Sequence, residues 1–243
     1  MNLIIDIGNT RVKLAVFKHN SILSRKTVQK NFFIKEIEKI ILAQPTITNA
    51  IVSSVDNFSK KEEQQLKKLV PCLVVVSKNI QLPFINKYST PLTLGVDRIA
   101  LIASAAVQYQ KQNVLVIDAG TCITYDFLTA KNEYLGGAIS PGLTIRYEAL
   151  HNLTAKLPLL QPKDTTVLIG NSTETSIHSG IINGIINEVD GVIKQYQSQY
   201  ADLTVILTGG DTNFLAKRLK SSIFANANFL LEGLNYLLKI NID

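Results

Sequence analysis

Apolar positions along the chain fall into short runs with strand spacing and longer runs with helical spacing. Asn2–Ile7 is an apolar run of strand length, broken only by Asp6. Gly8-Asn9-Thr10 is turn chemistry, and Val12, Leu14 and Val16 then alternate with Arg11, Lys13 and Ala15 as in a return strand. A third strand is predicted over Ile22–Val28. A helix is predicted near Phe32–Leu42, where Ile34, Ile37, Ile40 and Ile41 recur at helical spacing. Ile51–Val55 and Cys72–Val76 read as strands on either side of a helix over Ser59–Leu69, which opens on a serine cap. Asn79–Leu94 carries two prolines and reads as a loop, and Gly95 opens a helix through about Tyr109.

The pattern then begins again. Val114–Asp118 is a buried strand, Ala119-Gly120-Thr121 a turn, Ile123–Leu128 a return strand and Tyr134–Ile139 a third. A helix follows, with Pro141 expected in its first turn, where a missing N–H costs nothing. Residues 173–197 read as a long helix and Thr204–Leu207 as a strand leading into Gly209-Gly210. Helices are predicted from about Thr212 and over Phe229–Leu238. The stretches LIIDIGNTRVKLAVF (3–17) and VLVIDAGTCITYDFL (114–128) are the same device: an apolar strand ending in Asp-x-Gly, a turn with Thr, and a return strand. Two such copies, each followed by helices, predict an α/β protein of two similar domains, 1–112 and 113–243, facing one cleft. A single doubly wound sheet would need crossover helices where this sequence offers hairpins.

Composition narrows the class. The chain has 243 residues, 46% of them hydrophobic and 18% charged, enough apolar material for a substantial core and unlike a disordered chain. The net charge is +6, but the basic residues are scattered, and the densest run (Lys60, Lys61, Glu62, Glu63, Lys67, Lys68) mixes signs as a solvated helix face does. That distribution speaks against a nucleic-acid surface and suits small anionic substrates such as nucleotides. Cys72 and Cys122 form no CxxC and have no histidine at ligand spacing, so both are expected to be buried free thiols. His19, His151 and His178 are isolated and are expected to be ordinary surface or core residues. No window approaches the ~18 apolar residues of a membrane span, and no secretory leader is expected, which predicts a cytoplasmic protein with no membrane partner.

Three loops carry candidate chemistry. In Asp6-Ile7-Gly8-Asn9-Thr10, glycine lets backbone N–H groups approach an anion, and Asn9 and Thr10 add side-chain donors. Asp6 beside phosphate requires an intervening cation or its waters, which predicts Mg²⁺, and Lys13 is within reach from the return strand. Asp118-Ala119-Gly120-Thr121 repeats this chemistry, and Thr208-Gly209-Gly210-Asp211 adds a glycine pair between strand and helix. Together they predict an ATP cleft. No GxxxxGK[ST] is present, which excludes a P-loop as the phosphate binder, and the protein-kinase motifs are absent too. At Gly95-Val96-Asp97-Arg98, a carboxylate at a helix start could orient an attacking hydroxyl and take its proton, and Arg98 could grip a substrate carboxylate. A capped helix with a surface ion pair would leave the same four-residue trace.

The ordered set DIGNT (6–10), GVDR (95–98), DAGT (118–121), GGAISPG (136–142) and TGGD (208–211) resembles the type III pantothenate kinase family across nearly the whole chain. The resemblance implies duplicated ribonuclease H-like domains of the actin-like ATPase kind, flanking a nucleotide cleft that closes around its substrates. It implies transfer of the γ-phosphate of ATP to the 4′-hydroxyl of pantothenate, the first committed step toward coenzyme A, in a homodimer. ATP would be bound by residues 6–13 (Asp6, Gly8, Asn9, Thr10 and Lys13 among them), Thr121, Gly209 and Gly210. Asp97 would be the general base, Asp118 the ligand of a monovalent cation (K⁺ or NH₄⁺), and Tyr88, Gly95, Val96, Asp97, Arg98 and Thr173 the pantothenate contacts. Ser172 stands where the family more usually has Asn before that threonine. The rival from another class is a non-catalytic nucleotide-binding regulator of the same fold, since a branch resembling this family is described as an accessory factor in transcription. The presence of Asp97, Arg98, Asp118 and Thr121 together argues against it, since a pure binding module needs no positioned base. Another enzymatic rival is a different kinase or phosphatase of the same superfold; sugar kinases of that superfold are usually much longer, and the GVDR segment separates these readings.

Overall fold

A computed structural model of the chain describes every residue except Thr10, Asp56, Asn57, Lys78, Thr165, Thr166 and Asp243. It divides into two compact units: Met1–Gln110 with Asn132–Tyr134 and Asn228–Asp243, and Lys111–Lys131 with Leu135–Ala227.

In the first unit, β1 (Asn2–Ile7) is buried along its whole length because sheet neighbours flank both edges and helices cover both faces. β2 (Arg11–Lys18) pairs with it antiparallel, and β3 (Ser21–Gln29) completes the meander. α1 (Phe33–Ala43) follows, then β4 (Asn49–Ser54), α2 (Lys60–Leu69) and β5 (Cys72–Val75). β4 lies parallel to β1 and β5 parallel to β4, so the sheet order is β3-β2-β1-β4-β5. The serine cap at Ser59 is a full capping box: its Oγ accepts from Glu62 N at 3.2 Å and the Glu62 carboxylate accepts from Ser59 N at 2.8 Å. Phe33 and Ile37 of α1 and Leu66 of α2 pack on Leu3, Ile5 and Ile7 of β1. The proline-bearing loop contains a two-residue strand, β6 (Ile85–Asn86), which pairs in parallel with residues 133–134 and which loop composition alone did not reveal. α3 (Val96–Gln108) then runs through the unit nearly fully buried.

The second unit repeats the first. β7 (Asn113–Ala119) takes the place of β1, β8 (Cys122–Leu128) returns antiparallel, and β9 (Glu133–Pro141) follows. α4 (Leu143–Asn152) and the 27-residue α5 (Thr173–Gln199) come next, then β10 (Leu203–Thr208), α6 (Thr212–Ala216) and β11 (Phe224–Ala225). The succession β11-β10-β7-β8-β9 is that of β5-β4-β1-β2-β3, with β11–β10 and β10–β7 parallel and β7–β8 antiparallel like their counterparts. Ile177, Ile181, Ile185, Val189 and Ile193 put the apolar stripe of α5 on Leu115, Ile117 and Tyr125. α7 (Phe229–Ile240) belongs to the first unit, where Gly233 brings it against α3: a Cβ there would stand 1.8 Å from the Ala100 carbonyl oxygen.

Two local expectations are corrected. Pro141 is the last residue of β9 rather than the first turn of α4, whose N-cap is Gly142. Cys122 is exposed at the start of β8 and Cys72 only half-buried, because each opens its strand at a turn rather than lying in the strand's covered middle.

Candidate functional site

The first unit gathers its candidate residues at the carboxyl end of β1. Asp6 is 6% exposed and stands directly across the ladder from Lys13, whose Nζ lies 3.7 Å from the carboxylate. Burial pushes the Asp6 carboxyl up to about 6; Lys13 pulls against this, and the negative charge of Asp97 adds to the rise. Asp97 is therefore within electrostatic reach of Asp6, although 91 residues separate them in sequence. On the other side of Asp6 the parallel register places Ser53 of β4, fully buried, with an Oγ that has no hydrogen-bond partner among the described residues. The turn beyond β1 is closed by Gly8 N donating to Arg11 O at 3.0 Å, and Asn9 is exposed at its tip. Thr10 lies outside the described residues.

Asp97 sits in the first turn of α3, where the helix dipole favours an anion, and its Oδ1 accepts from Arg98 N at 2.8 Å. A Cβ on Gly95 would meet that same Oδ1 at 2.5 Å, so glycine lets the carboxylate fold back over the helix start. Val96 is half-buried as the first helical residue. Arg98 is 5% exposed, with its guanidinium carbon 5.5 Å from the centre of the Tyr88 ring. Tyr88 stacks on Tyr134 at 6.0 Å between ring centres, and Phe84 meets Tyr134 edge-on at 6.0 Å. β6 makes this ladder possible: Lys87 N donates to Tyr134 O at 2.9 Å, and Asn86 Oδ1 accepts from Tyr88 N at 3.0 Å.

In the second unit three separate motifs converge. Asp118, one residue before the end of β7, is in register with Thr208 of β10, just as Asp6 is in register with Ser53. Gly209 has φ +99°, and a Cβ there would come within 2.2 Å of Ala119 O and 2.4 Å of Asp118 Oδ1. Asp211 N donates to Ala119 O at 2.9 Å, which clamps the TGGD turn onto the DAGT turn, and burial raises the Asp211 carboxyl. From the other side Gly142 N donates to Thr121 O at 3.0 Å, and a Cβ on Gly142 would strike Gly120 O at 2.1 Å. Thr121 is exposed on this platform. Gly210 faces open space, since a Cβ there would meet nothing within 4 Å. Thr173 is the exposed first residue of α5; Ser172 before it is the N-cap, its Oγ accepting from Thr175 N at 3.2 Å. A Gly209→Ala variant is expected to lose about 2–4 kcal/mol, from the strained backbone and the clash with Ala119, as a lower denaturant midpoint. An unchanged midpoint would contradict the geometry.

Every motif that carried the family resemblance thus lies in one of two glycine-dependent platforms or, at GVDR, on the helix start beside the first. Residues 2–195 match the family described as type III pantothenate kinase, more than half of the chain. The chain belongs to the type III pantothenate kinase family. A protein of Christiangramia forsetii named as a type III pantothenate kinase is 53% identical over 241 residues, covering 99% of both chains. Among solved structures, a Campylobacter jejuni protein described as a Baf family transcriptional activator matches with TM-score 0.67 and 21% identity, covering 99% of this chain and 98% of that one. A Listeria monocytogenes protein described as an N-acetylmannosamine kinase matches with TM-score 0.58 and 14% identity, covering 100% and 99%. At those identities the two structures speak to the fold, which is the duplicated actin-like ATPase architecture expected from the sequence.

Within a type III pantothenate kinase, sequence reasoning missed Ser53, Phe84 and Tyr134. Ser53 could have been suspected from its hydroxyl at the end of the strand following α1. Nothing in the sequence places Phe84 and Tyr134 together, since β6 is two residues long. Of the isolated histidines, His178 is buried with Nδ1 2.7 Å from the Tyr147 hydroxyl, and Nδ1 of the exposed His151 lies 2.8 Å from Leu157 O. Among the described residues no helix is long and apolar enough to cross a membrane.

Proposed function

We propose that this chain transfers the γ-phosphoryl group of ATP to the 4′-hydroxyl of pantothenate, giving 4′-phosphopantothenate, the first step toward coenzyme A. The observation that carries the reading is Asp97: a carboxylate held over a helix N-terminus, within electrostatic reach of a second buried carboxylate and next to a buried arginine. The Asp97 carboxylate orients the 4′-hydroxyl and accepts its proton as the 4′-oxygen forms its bond to the γ-phosphorus and the bond from that phosphorus to ADP breaks. Arg98 offers a planar fork to the pantothenate carboxylate, with Tyr88 holding the guanidinium from its face. Gly95 and Val96 provide the helix start against which the substrate lies, and Thr173 contributes a hydroxyl.

ATP is held by Asp6, Gly8, Asn9, Thr10, Lys13, Thr121, Gly209 and Gly210. Lys13 neutralises phosphate charge, and the glycines admit the phosphates close to backbone N–H groups. A hydrated Mg²⁺ fits at Asp6: the raised carboxyl and the orphaned Ser53 Oγ beside it are hard oxygen donors of the kind that hold its waters. A monovalent cation, K⁺ or NH₄⁺, fits at Asp118, whose oxygen fills the space a side chain at Gly209 would take. Bound there, the cations offset the negative charge on the phosphates. The protein works in the cytoplasm as a homodimer, with neither nucleic acid nor membrane as a partner.

A coupled ADP-release assay with Mg·ATP tests this. Release that requires pantothenate and is faster in potassium than in sodium is expected. ADP release indifferent to pantothenate, from folded protein that binds ATP, would overturn the assignment in favour of a nucleotide-binding regulator.

A further inference from the structure

A polar network behind the second platform has no part in the reading above. Glu188, mid-way along α5, receives the Tyr125 hydroxyl on Oε1 at 3.0 Å and a guanidinium nitrogen of Arg146 on Oε2. The same Arg146, on α4, donates from Nε to Pro141 O at 2.9 Å and from its terminal nitrogen to Ser140 Oγ at 3.0 Å. Ser140 and Pro141 are the last two residues of β9, and the next residue is Gly142, whose N–H holds Thr121 O. Burial alone would raise the Glu188 carboxyl, but hydrogen bonds from Arg146, Ser140 and Tyr125, with the Arg146 charge, hold it below the ordinary range. Arg146 and Glu188 are 20% and 28% exposed, so the pair is largely withdrawn from water. A partly buried ion pair is a poor way to gain stability, because desolvation offsets most of its attraction. What it does supply is direction: one planar guanidinium fixes a carboxylate, a hydroxyl and a carbonyl at once.

We propose that Arg146 and Glu188 are positioning residues for ATP, setting the height of the Gly120–Thr121 turn through Ser140, Pro141 and Gly142. The inference rests on the assignment of Thr121 to ATP. The path is contiguous: α5 carboxylate, α4 guanidinium, end of β9, Gly142, and the turn 2.1 Å from where a Gly142 Cβ would lie. Apart from the β7–β8 ladder and the Asp211 N to Ala119 O clamp, the turn's backbone bonds among the described residues are Gly120 N to Cys122 O and Gly142 N to Thr121 O, so a shift at Gly142 passes directly to Thr121.

The test compares Arg146→Lys, Arg146→Met and Glu188→Gln with the parent protein. Lysine keeps the charge but cannot donate to all three acceptors in one plane; glutamine keeps the carboxylate's shape. Calorimetry with Mg·ATP alone gives nucleotide affinity without any pantothenate turnover, so it separates failure of this proposal from failure of the kinase assignment. Both arginine variants are expected to bind Mg·ATP about 10-fold more weakly, with Glu188→Gln intermediate, through the turn's altered geometry. In turnover, KM for ATP should rise while KM for pantothenate changes less than about 2-fold, a split that general loosening would not produce. Parent-like ATP affinity in folded Arg146→Lys, or an equal rise of both KM values, would overturn the proposal. If the arginine variants fail to fold, Glu188→Gln alone decides it by the same two readouts.

Discussion

Asp97→Asn is expected to lower pantothenate-dependent kcat by about 10²–10⁴-fold, the usual worth of a positioned general base. Asparagine keeps the size of the side chain and can still accept from Arg98 N, so α3 and its first turn are expected to survive intact. What it cannot do is take the proton of the 4′-hydroxyl. Removing one of two neighbouring negative charges also eases Asp6, whose carboxyl is raised in part by Asp97. The variant should therefore bind Mg·ATP about as well as the parent while failing in chemistry: a loss in kcat with little change in nucleotide affinity. Steady-state kinetics alongside calorimetry reads both. Turnover within about 3-fold of the parent would remove Asp97 from the role of base and leave helix capping as its task.

Asp6→Asn is expected to abolish measurable turnover and at the same time make the ligand-free protein more stable. In the folded chain the Asp6 carboxyl sits near 6, above its ordinary value of 3.8, because burial disfavours the charged form. Below the ordinary value both folded and unfolded chains are protonated, and the group is neutral in its effect. As pH rises toward 6 the unfolded chain ionises first, and above that the folded chain carries the full cost of a buried charge, about 1–3 kcal/mol. Asparagine removes that cost, so the variant should melt several degrees above the parent at pH 7.5, and the advantage should vanish near pH 4. Lys13 loses its partner, but at half exposure that loss is small. Saturating Mg·ATP should raise the melting midpoint of the parent much more than that of the variant. A variant less stable than the parent at pH 7.5 would show that Asp6 is a structural ion-pair member, not a charge kept in place for a ligand.

Glycines at strand ends were legible in the sequence because close approach and positive φ leave few other residue types for their positions. Gly209 must adopt a positive φ against a carbonyl, and Gly142 must let one loop touch another; such demands leave few substitutes. The duplicated strand-turn-strand device was legible because an apolar run closing on Asp-x-Gly, with a Thr in the turn and a return strand after it, recurs in both halves. The exposed thiol of Cys122 was misjudged because local apolarity says nothing about where along a strand the cover begins. The place of Pro141 was misjudged because proline suits a helix start and also the end of a strand beyond the stretch that β6 pairs, where its missing N–H leaves no bond to β6 unmade.

Local chemistry, then, determined the elements, their order, the repeat and the loops that bear the motifs, because periodicity, capping and turn preference act over a few residues. Only tertiary structure decided which of those loops meet. The approach of Asp97 to Asp6, the Arg98–Tyr88–Tyr134–Phe84 ladder, the return of α7 to pack on α3, and the pairing of Arg146 with Glu188 all join residues far apart in the chain. Such contacts arise when sheet pairing and burial bring distant segments together, and no spacing along the sequence records them.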